Sequence, residues 1–201
     1  MDNRERVGRV ELAAAFRMAA RLGMHEGICN HFSLALTDDG REFLVNPHGY
    51  RFGELRARDL LRVEAGGRVL SGEGEVEVEP SALFIHGRMH LALPQVRCIL
   101  HTHMPYATAL TSIEGSRLEP INQNALRFVD QIAYDHDYGG LALDAAEGDR
   151  IAAALAASGS CSSPTTAWSP SAPRFPRPST TSTISSAPAR TRCWRWRPDG
   201  P

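Results

Sequence analysis

The chain has 201 residues, of which 42% are hydrophobic, and a formal net charge of −1. This length supports one hydrophobic core, and the balanced charge shows no basic excess that would indicate nucleic-acid binding. Four cysteines without a CxxC spacing indicate free thiols in a reducing compartment. The sequence contains no long apolar run of the kind that would predict a signal peptide or a membrane span. We therefore expect a cytoplasmic protein with neither a nucleic-acid nor a membrane partner.

The first part of the chain predicts one helix followed by short strands. Apolar residues at helical spacing predict a helix from about residue 9 to 23, where Gly23 suits the C-terminal cap. The segments HFSLALT and EFLVN flank Asp38, Asp39 and Gly40, which is typical of a hairpin. The segments LLRVE, GRVLS and EVEVE predict further strands.

The middle of the chain predicts a helix, a buried strand and a second helix. Ser81 can cap a helix that ends before Pro94, and the apolar run at 96–100 suits a buried strand. Asp144 with Glu147 three residues later resembles a capping box at the start of another helix.

A histidine pair at the end of the predicted strand indicates a metal site. His101 and His103 are two residues apart, and strand side chains alternate between faces, so both rings project from the same face. Zinc favours imidazole nitrogens, and a catalytic zinc has three protein ligands and one open position. The pair therefore predicts half of a metal site; the alternative is two half-exposed side chains without a ligand.

Several segments together resemble the class II aldolase/adducin family, in particular its bacterial adducin-like branch. They are EGICNHFSLAL, FLVNPHGYRFGELRARDLL, EPSALFIHGRMHLALPQV, ILHTHMPYATALTS and INQNALRFVDQIAYDHDYGG, and the resemblance runs from about residue 10 to 158. It implies an α/β fold, a three-layer α/β/α domain with a mainly antiparallel central sheet, commonly in an oligomer. In the family's sugar-phosphate aldolases, zinc is held by the HxH motif and by a histidine of a later NHG motif.

No NHG motif is present, and the composition changes where it should occur. From residue 158 to the end the chain is rich in Ser, Thr, Pro and Arg and shows no helix or strand period. A disordered tail is one interpretation. Our hypothesis is a shifted reading frame, because the shifted codons permit an Asn-His-Gly sequence. The codon of its histidine would combine bases from the codons of Thr165 and Thr166. We thus expect a truncated domain at 1–157, an irregular non-native tail at 158–201, and weak zinc or other divalent-cation binding.

Two loops and a helix start are candidates for substrate binding. The loops EGICNHFS and NPHGY supply amide and hydroxyl donors beside glycines that let the backbone approach a ligand. In the family's sugar-phosphate enzymes the matching loops and a Ser-rich loop hold the substrate phosphate. The alternative is that these are ordinary turns. The predicted substrate-binding residues are Asn30, Ser33, Asn46, Gly49 and Ser81.

The catalytic carboxylate of the family's aldolases is absent. Their PSSE motif carries a glutamate four residues before a histidine, and counting back from His86 reaches Ala82, whose methyl group cannot move protons. The catalytic residue therefore stays unassigned. Glu79 lies near in sequence, and His86 and His90 are alternative ligands or bases, although packing or surface histidines are the simpler interpretation. His25, His31, His48 and His136 are ambiguous in the same way.

Two functions remain open from the sequence. The first is a metal-dependent lyase or epimerase-like enzyme that acts on a small hydroxylated carbonyl compound through a metal-stabilised enolate, in a homo-oligomer once the frame is restored. The second is a non-catalytic binding or scaffold domain like the adducin head. Fold alone does not choose between them. Without the third histidine, this chain is expected to be inactive.

Overall fold

The computed structural model describes residues 1–72, 77–113, 115, 117–126, 128, 131–135, 142 and 144–157, together with the backbone of 165–168 and 182–186. The helices are α1 (Asn3–Arg21), α2 (Pro80–Ala92), α3 (Pro105–Thr111), α4 (Gln123–Leu126) and α5 (Ala145–Ala157). The strands are β1 (His31–Ala35), β2 (Glu42–Val45), β3 (Leu61–Glu64), β4 (Val69–Ser71), β5 (Cys98–Thr102), β6 (Ile132–Tyr134), β7 (Thr165–Trp168) and β8 (Ser182–Ser186). In these parts of the chain no helix is long and apolar enough to cross a membrane.

The strands form one sheet in the order β4-β3-β2-β1-β5-β8-β7-β6. All neighbouring pairs are antiparallel except β6 with β7, which is parallel. Helix α1 packs on one face of the sheet, and α2 with α5 packs on the other. The predicted three-layer α/β/α fold with a mainly antiparallel sheet is confirmed.

Aromatic rings fill the layer between α1 and the sheet. Phe16 of α1 lies stacked on Phe32 of β1, with 4.6 Å between ring centroids, and meets Phe52 edge-on at the same distance. All three side chains are buried together with Leu12 and Leu44. This dry cluster fixes which face of β1 turns toward α1.

Aliphatic side chains and close backbone contact join α2 and α5 to the other face. Met89 of α2, Ile99 of β5 and Leu155 of α5 are buried in one cluster. Gly148 lies so close to α2 that an added Cβ would come within 2.2 Å of the Phe84 carbonyl oxygen. A glycine is therefore needed where the two helices meet.

The predicted hairpin and the start of α5 are confirmed, with small local differences at α1 and α2. The hairpin pairs β1 with β2 around Gly40, whose φ is +71°. Asp144 accepts hydrogen bonds from the backbone N–H groups of the first turn of α5. Helix α1 begins near residue 3 rather than 9, because the carboxylate of Asp2 caps it. Glu79, not Ser81, caps α2.

Two further predictions about regular structure fail in the parts of the chain that the structure describes. Residues 77–79 of the EVEVE segment are not in a strand, while 73–76 lie outside the described residues. Beyond residue 160 we expected irregular or poorly packed structure; the described backbone contains β7 and β8, so it is regular at 165–168 and 182–186. The strands show only that this backbone can pair within the sheet between β5 and β6; the shifted frame stays a hypothesis.

Candidate metal and substrate site

The site lies on the face of the sheet that turns toward α2. Strands β1 and β5 are neighbours, and His31 is paired with His101 in the antiparallel register. Paired residues share a face, so the two rings stack with centroids 4.2 Å apart and an interplanar angle of 16°. His103 follows directly after the strand on the same side.

The two predicted metal ligands converge. The Nε2 atoms of His101 and His103 are 3.1 Å apart, and both residues are buried. Two nitrogens bound to one tetrahedral zinc at about 2.0–2.1 Å lie about 3.3 Å from each other. The donor pair therefore fits one shared divalent cation, which these two residues would hold through Nε2.

Glu26 orients His103. Its Oε2 lies 2.9 Å from His103 Nδ1, so the ring donates Nδ1–H to the carboxylate and keeps the Nε2 lone pair free. A carboxylate behind a ligating imidazole is the usual outer partner in metal sites. His101 differs, because its buried Nδ1 has no hydrogen-bond partner among the described residues.

The described residues offer two such donors and not three. Within those parts of the chain, no group of three or more His, Cys, Asp or Glu side chains has a geometry that could hold a metal ion. The positions that the shifted frame connects with the third ligand, Thr165 and Thr166, are described only as the backbone of β7.

Two of the predicted substrate-binding residues brace the loop next to His103. The Asn30 side chain accepts from the backbone N–H of His103 at 3.1 Å and from that of Glu26 at 3.2 Å. Asn46 accepts from the Phe32 N–H at 3.3 Å and donates to the Asn30 carbonyl at 3.4 Å. Both asparagines are buried, and their polar groups hold backbone in place. Their contact with substrate stays a prediction.

Ser81 and Glu79 form the opposite border of the site. The Ser81 hydroxyl donates to Glu79 Oε2 in a short hydrogen bond and lies 3.4 Å from His31 Nε2. Glu79 Oε2 is itself 3.9 Å from that nitrogen. Burial alone would raise the pKa of Glu79, but hydrogen bonds from Ser81 and from the Ala82 N–H outweigh it and hold that pKa below its usual value.

The remaining residues that the sequence singled out lie apart from His101, His103 and Glu79. Ser33 is fully buried between two histidines of α2, and Gly49 lies in an exposed turn with a φ of +82°. Ala82 is buried against the sheet among apolar side chains. His136 lies outside the described residues.

The contact between the histidines of α2 and the polar side chains of β1 is the feature that the sequence did not predict. His86 and His90 are both fully buried, so of the two simpler interpretations the packing one holds and the surface one does not. Burial lowers the pKa of His90 to about 4 and puts that of His86 well below its ordinary value. Their four-residue spacing on one helix face, opposite His31 and Ser33 two apart on a strand, was the signal available.

The sequence profile of the class II aldolase and adducin N-terminal domain matches residues 10–164, and the chain belongs to this family. It is 34% identical over 147 residues to a class 2 aldolase-type protein of Caulobacter vibrioides, covering 73% of this chain and 56% of that protein. It is 31% identical over 147 residues to alpha-adducin of Mus musculus, covering 73% of this chain and 20% of adducin.

A solved structure shares the fold. The crystal structure of an aldolase II superfamily protein from Pseudomonas syringae has a TM-score of 0.78 and 28% identity, covering 92% of this chain and 68% of that one. The chain spans about half the length of the curated relatives it matches first. The activity of a whole protein of this kind is therefore a matter for proposal.

Proposed function

We propose that this domain is a metal-dependent lyase or epimerase-like enzyme that acts on a small hydroxylated carbonyl compound by way of an enolate. The observation that carries the proposal is the 3.1 Å approach of His101 Nε2 and His103 Nε2 in a buried position. Two buried imidazoles with converging lone pairs are costly unless a proton or a cation lies between them. Family membership supports the same interpretation.

A divalent cation at this pair would polarise a substrate carbonyl and stabilise negative charge that develops on its oxygen. The chain's own residues supply orientation and proton acceptance. Glu26 keeps His103 in the tautomer with a free Nε2, and Asn30 fixes the backbone that carries it. Glu79, ionised and partly exposed beside His31, is the carboxylate available in place of the one missing at Ala82.

The substrate class follows from the lining of the site. Imidazole, hydroxyl and carboxylate groups from His31, Ser81 and Glu79 accept hydrogen bonds, which suits hydroxyl donors. In the proposed enzyme the remaining ligand comes from a frame-restored segment in place of 158–201, and the active form is a cytoplasmic homo-oligomer. As printed, the chain is inactive because its site lacks the third histidine.

A scaffold role is the second candidate, and Ala82 favours it. The residue is buried where aldolases of the family carry their acid/base group, and alpha-adducin is among the relatives. In this alternative the histidines stabilise the fold and no cation is needed. The two functions differ in whether a cation-dependent reaction occurs at all.

Hydrogen exchange tests the proposal. The frame-restored chain is incubated with zinc and dihydroxyacetone in deuterated water, and loss of the carbon-bound proton signal is followed by NMR. We expect zinc-dependent exchange that disappears in the His103→Ala variant and is unchanged in the Glu54→Gln variant, whose side chain is exposed. Exchange that is absent with zinc, or equal in the His103→Ala variant, would exclude this enzyme function and favour the scaffold.

A further inference from the structure

A continuous row of hydrogen bonds runs through the interior from the segment that precedes β5 to the site. His90 Nδ1 lies 3.0 Å from the Val96 carbonyl oxygen, and His90 Nε2 lies 2.8 Å from the Ser33 hydroxyl. The same hydroxyl is 2.6 Å from His86 Nδ1, and His86 Nε2 is 2.7 Å from His31 Nδ1. All four side chains of this histidine row (His90, Ser33, His86 and His31) are buried.

The carbonyl at one end sets the direction of every bond. A carbonyl oxygen only accepts, so His90 carries its proton on Nδ1 and its Nε2 accepts from the Ser33 hydroxyl. Ser33 then accepts from His86 Nδ1–H, which leaves His86 Nε2 as the acceptor for His31 Nδ1–H. With one ring proton on each histidine, the row leaves His31 Nε2 without a proton.

Burial keeps one proton on each of the two α2 rings. It lowers the pKa of His90 to about 4, against a smaller opposing effect of the Val96 hydrogen bond, and it puts the pKa of His86 well below its ordinary value. A second proton on either ring would break a link, because each nitrogen that accepts in the row would become a donor.

The free lone pair of His31 has no donor within the described residues. Its nearest hydroxyl, Ser81 at 3.4 Å, gives its hydrogen to Glu79 instead. The ring is buried, stacked on His101 and directed toward Glu79, which is 29% exposed at its side chain. A buried acceptor without a donor is unfavourable unless a ligand supplies one.

We infer that His31 is a ligand-binding residue whose Nε2 accepts a hydrogen bond from a hydroxyl group, and that Ser33, His86 and His90 are positioning residues that fix its tautomer. The inference adds a specificity element to the proposed function and rests on it for the location of the substrate. The tautomer itself depends on neither a metal nor a reaction, so the two proposals can fail separately.

The tautomers can be read directly by long-range proton–nitrogen NMR of the full chain labelled with ¹⁵N-histidine, at pH 7.5 without metal. Signals are assigned by single histidine substitutions. We expect His31, His86 and His90 each to carry the proton on Nδ1. A His31 ring protonated on Nε2 would overturn the inference whatever the activity of the protein.

Two serine variants separate the row from general packing. Ser33→Ala removes the central link, and we expect His90 to stay protonated on Nδ1 while His31 and His86 become mixtures of tautomers. Ser112→Ala, whose exposed hydroxyl donates to the Thr108 carbonyl at the end of α3, is the control and should leave the His31 tautomer unchanged. If Ser33→Ala leaves His31 in one tautomer, the positioning role is wrong. If this variant does not fold, the tautomers measured in the unmodified chain decide whether the inference holds.

The ligand class is tested with dihydroxyacetone and with acetone, which has the same carbonyl and no hydroxyl groups. We expect dihydroxyacetone to shift the His31 Nε2 resonance and acetone at equal concentration to leave it in place. No shift with dihydroxyacetone, or equal shifts with both, would show that His31 does not bind a hydroxyl group. Loss of zinc-dependent exchange with these shifts retained would overturn only the proposed enzyme.

Discussion

The two faces of the central sheet use burial in opposite ways. Strand β1 alternates between them: Phe32 turns toward α1 into a cluster of stacked aromatic rings, while His31 and Ser33 turn toward α2 into a cluster of hydrogen-bonded histidines. Both faces are equally closed to solvent. The apolar face is stable because of the apolar surface area that it buries. The polar face is stable only while each buried group keeps its hydrogen-bond partner and each histidine stays uncharged.

The largest effect is expected on the apolar face. Phe16→Ala removes a fully buried ring that contacts both Phe32 and Phe52, and we expect the free energy of unfolding to fall by about 3–5 kcal/mol. Denaturant unfolding measures this change. Val10→Ala on the same helix is the control, because that side chain is 57% exposed and should cost little. Equal losses in both variants would show that α1 does not pack as described.

The polar face should respond to pH. An unfolded histidine binds a proton near pH 6.5, and folded His90 only near pH 4, so the unfolded chain binds more protons between these values. The contribution of His90 is therefore complete above pH 6.5 and is lost as the pH falls through 4, by about 3 kcal/mol in all. Denaturant unfolding is measured at several pH values in this range. The free energy of unfolding should fall more steeply with decreasing pH in the unmodified chain than in His90→Gln. Identical slopes would contradict the assignment.

Close backbone contact between the hairpin and α2 predicts the next largest loss in the free energy of unfolding. Gly40 has a φ of +71°, and an added Cβ would lie 2.0 Å from the His90 carbonyl oxygen. Gly40→Ala should therefore lower the free energy of unfolding by more than Gly23→Ala, which shares the positive φ but has open space around it. Backbone strain alone is worth about 1–2 kcal/mol. A Gly40→Ala loss no larger than the control would show that the hairpin can move away from α2.

The smallest effect is expected from the carboxylate behind His103. Glu26→Gln keeps the shape of the side chain but weakens the hydrogen bond to Nδ1, and loss of such a partner lowers metal affinity by about 10–100-fold. Competition with a coloured chelator measures the change in the frame-restored chain. Glu54→Gln, an exposed and unpaired counterpart in the described contacts, should bind zinc normally. An unaltered zinc affinity in Glu26→Gln would show that Glu26 does not support His103 as a metal ligand.

Sequence reasoning reached the fold and the HxH pair because both depend on local patterns. Alternation, turn residues and the spacing of His101 and His103 are all visible within a few positions. The pairing of His31 with His101 depends instead on the register of two strands that are about seventy residues apart, which no local pattern fixes.

The roles of Ser33 and Glu79 show the same limit. Ser33 was predicted to contact substrate, but the structure turns it to the interior, because the alternation of β1 places it under α2. Glu79 precedes α2, where the sequence did not require it to face the metal, yet its capping position directs its carboxylate toward His31. A helix cap and a histidine row combine local chemistry with contacts that only the folded chain brings together.

Calorimetric titration with zinc tests most directly whether the polar face is built around a cation. The unmodified chain, the frame-restored chain and the frame-restored His103→Ala variant are compared at neutral pH. We expect weak binding, tight binding and weak binding in that order, because His101 and His103 supply two ligands and the restored histidine the third. Equally tight binding by all three would contradict the account and place the metal elsewhere.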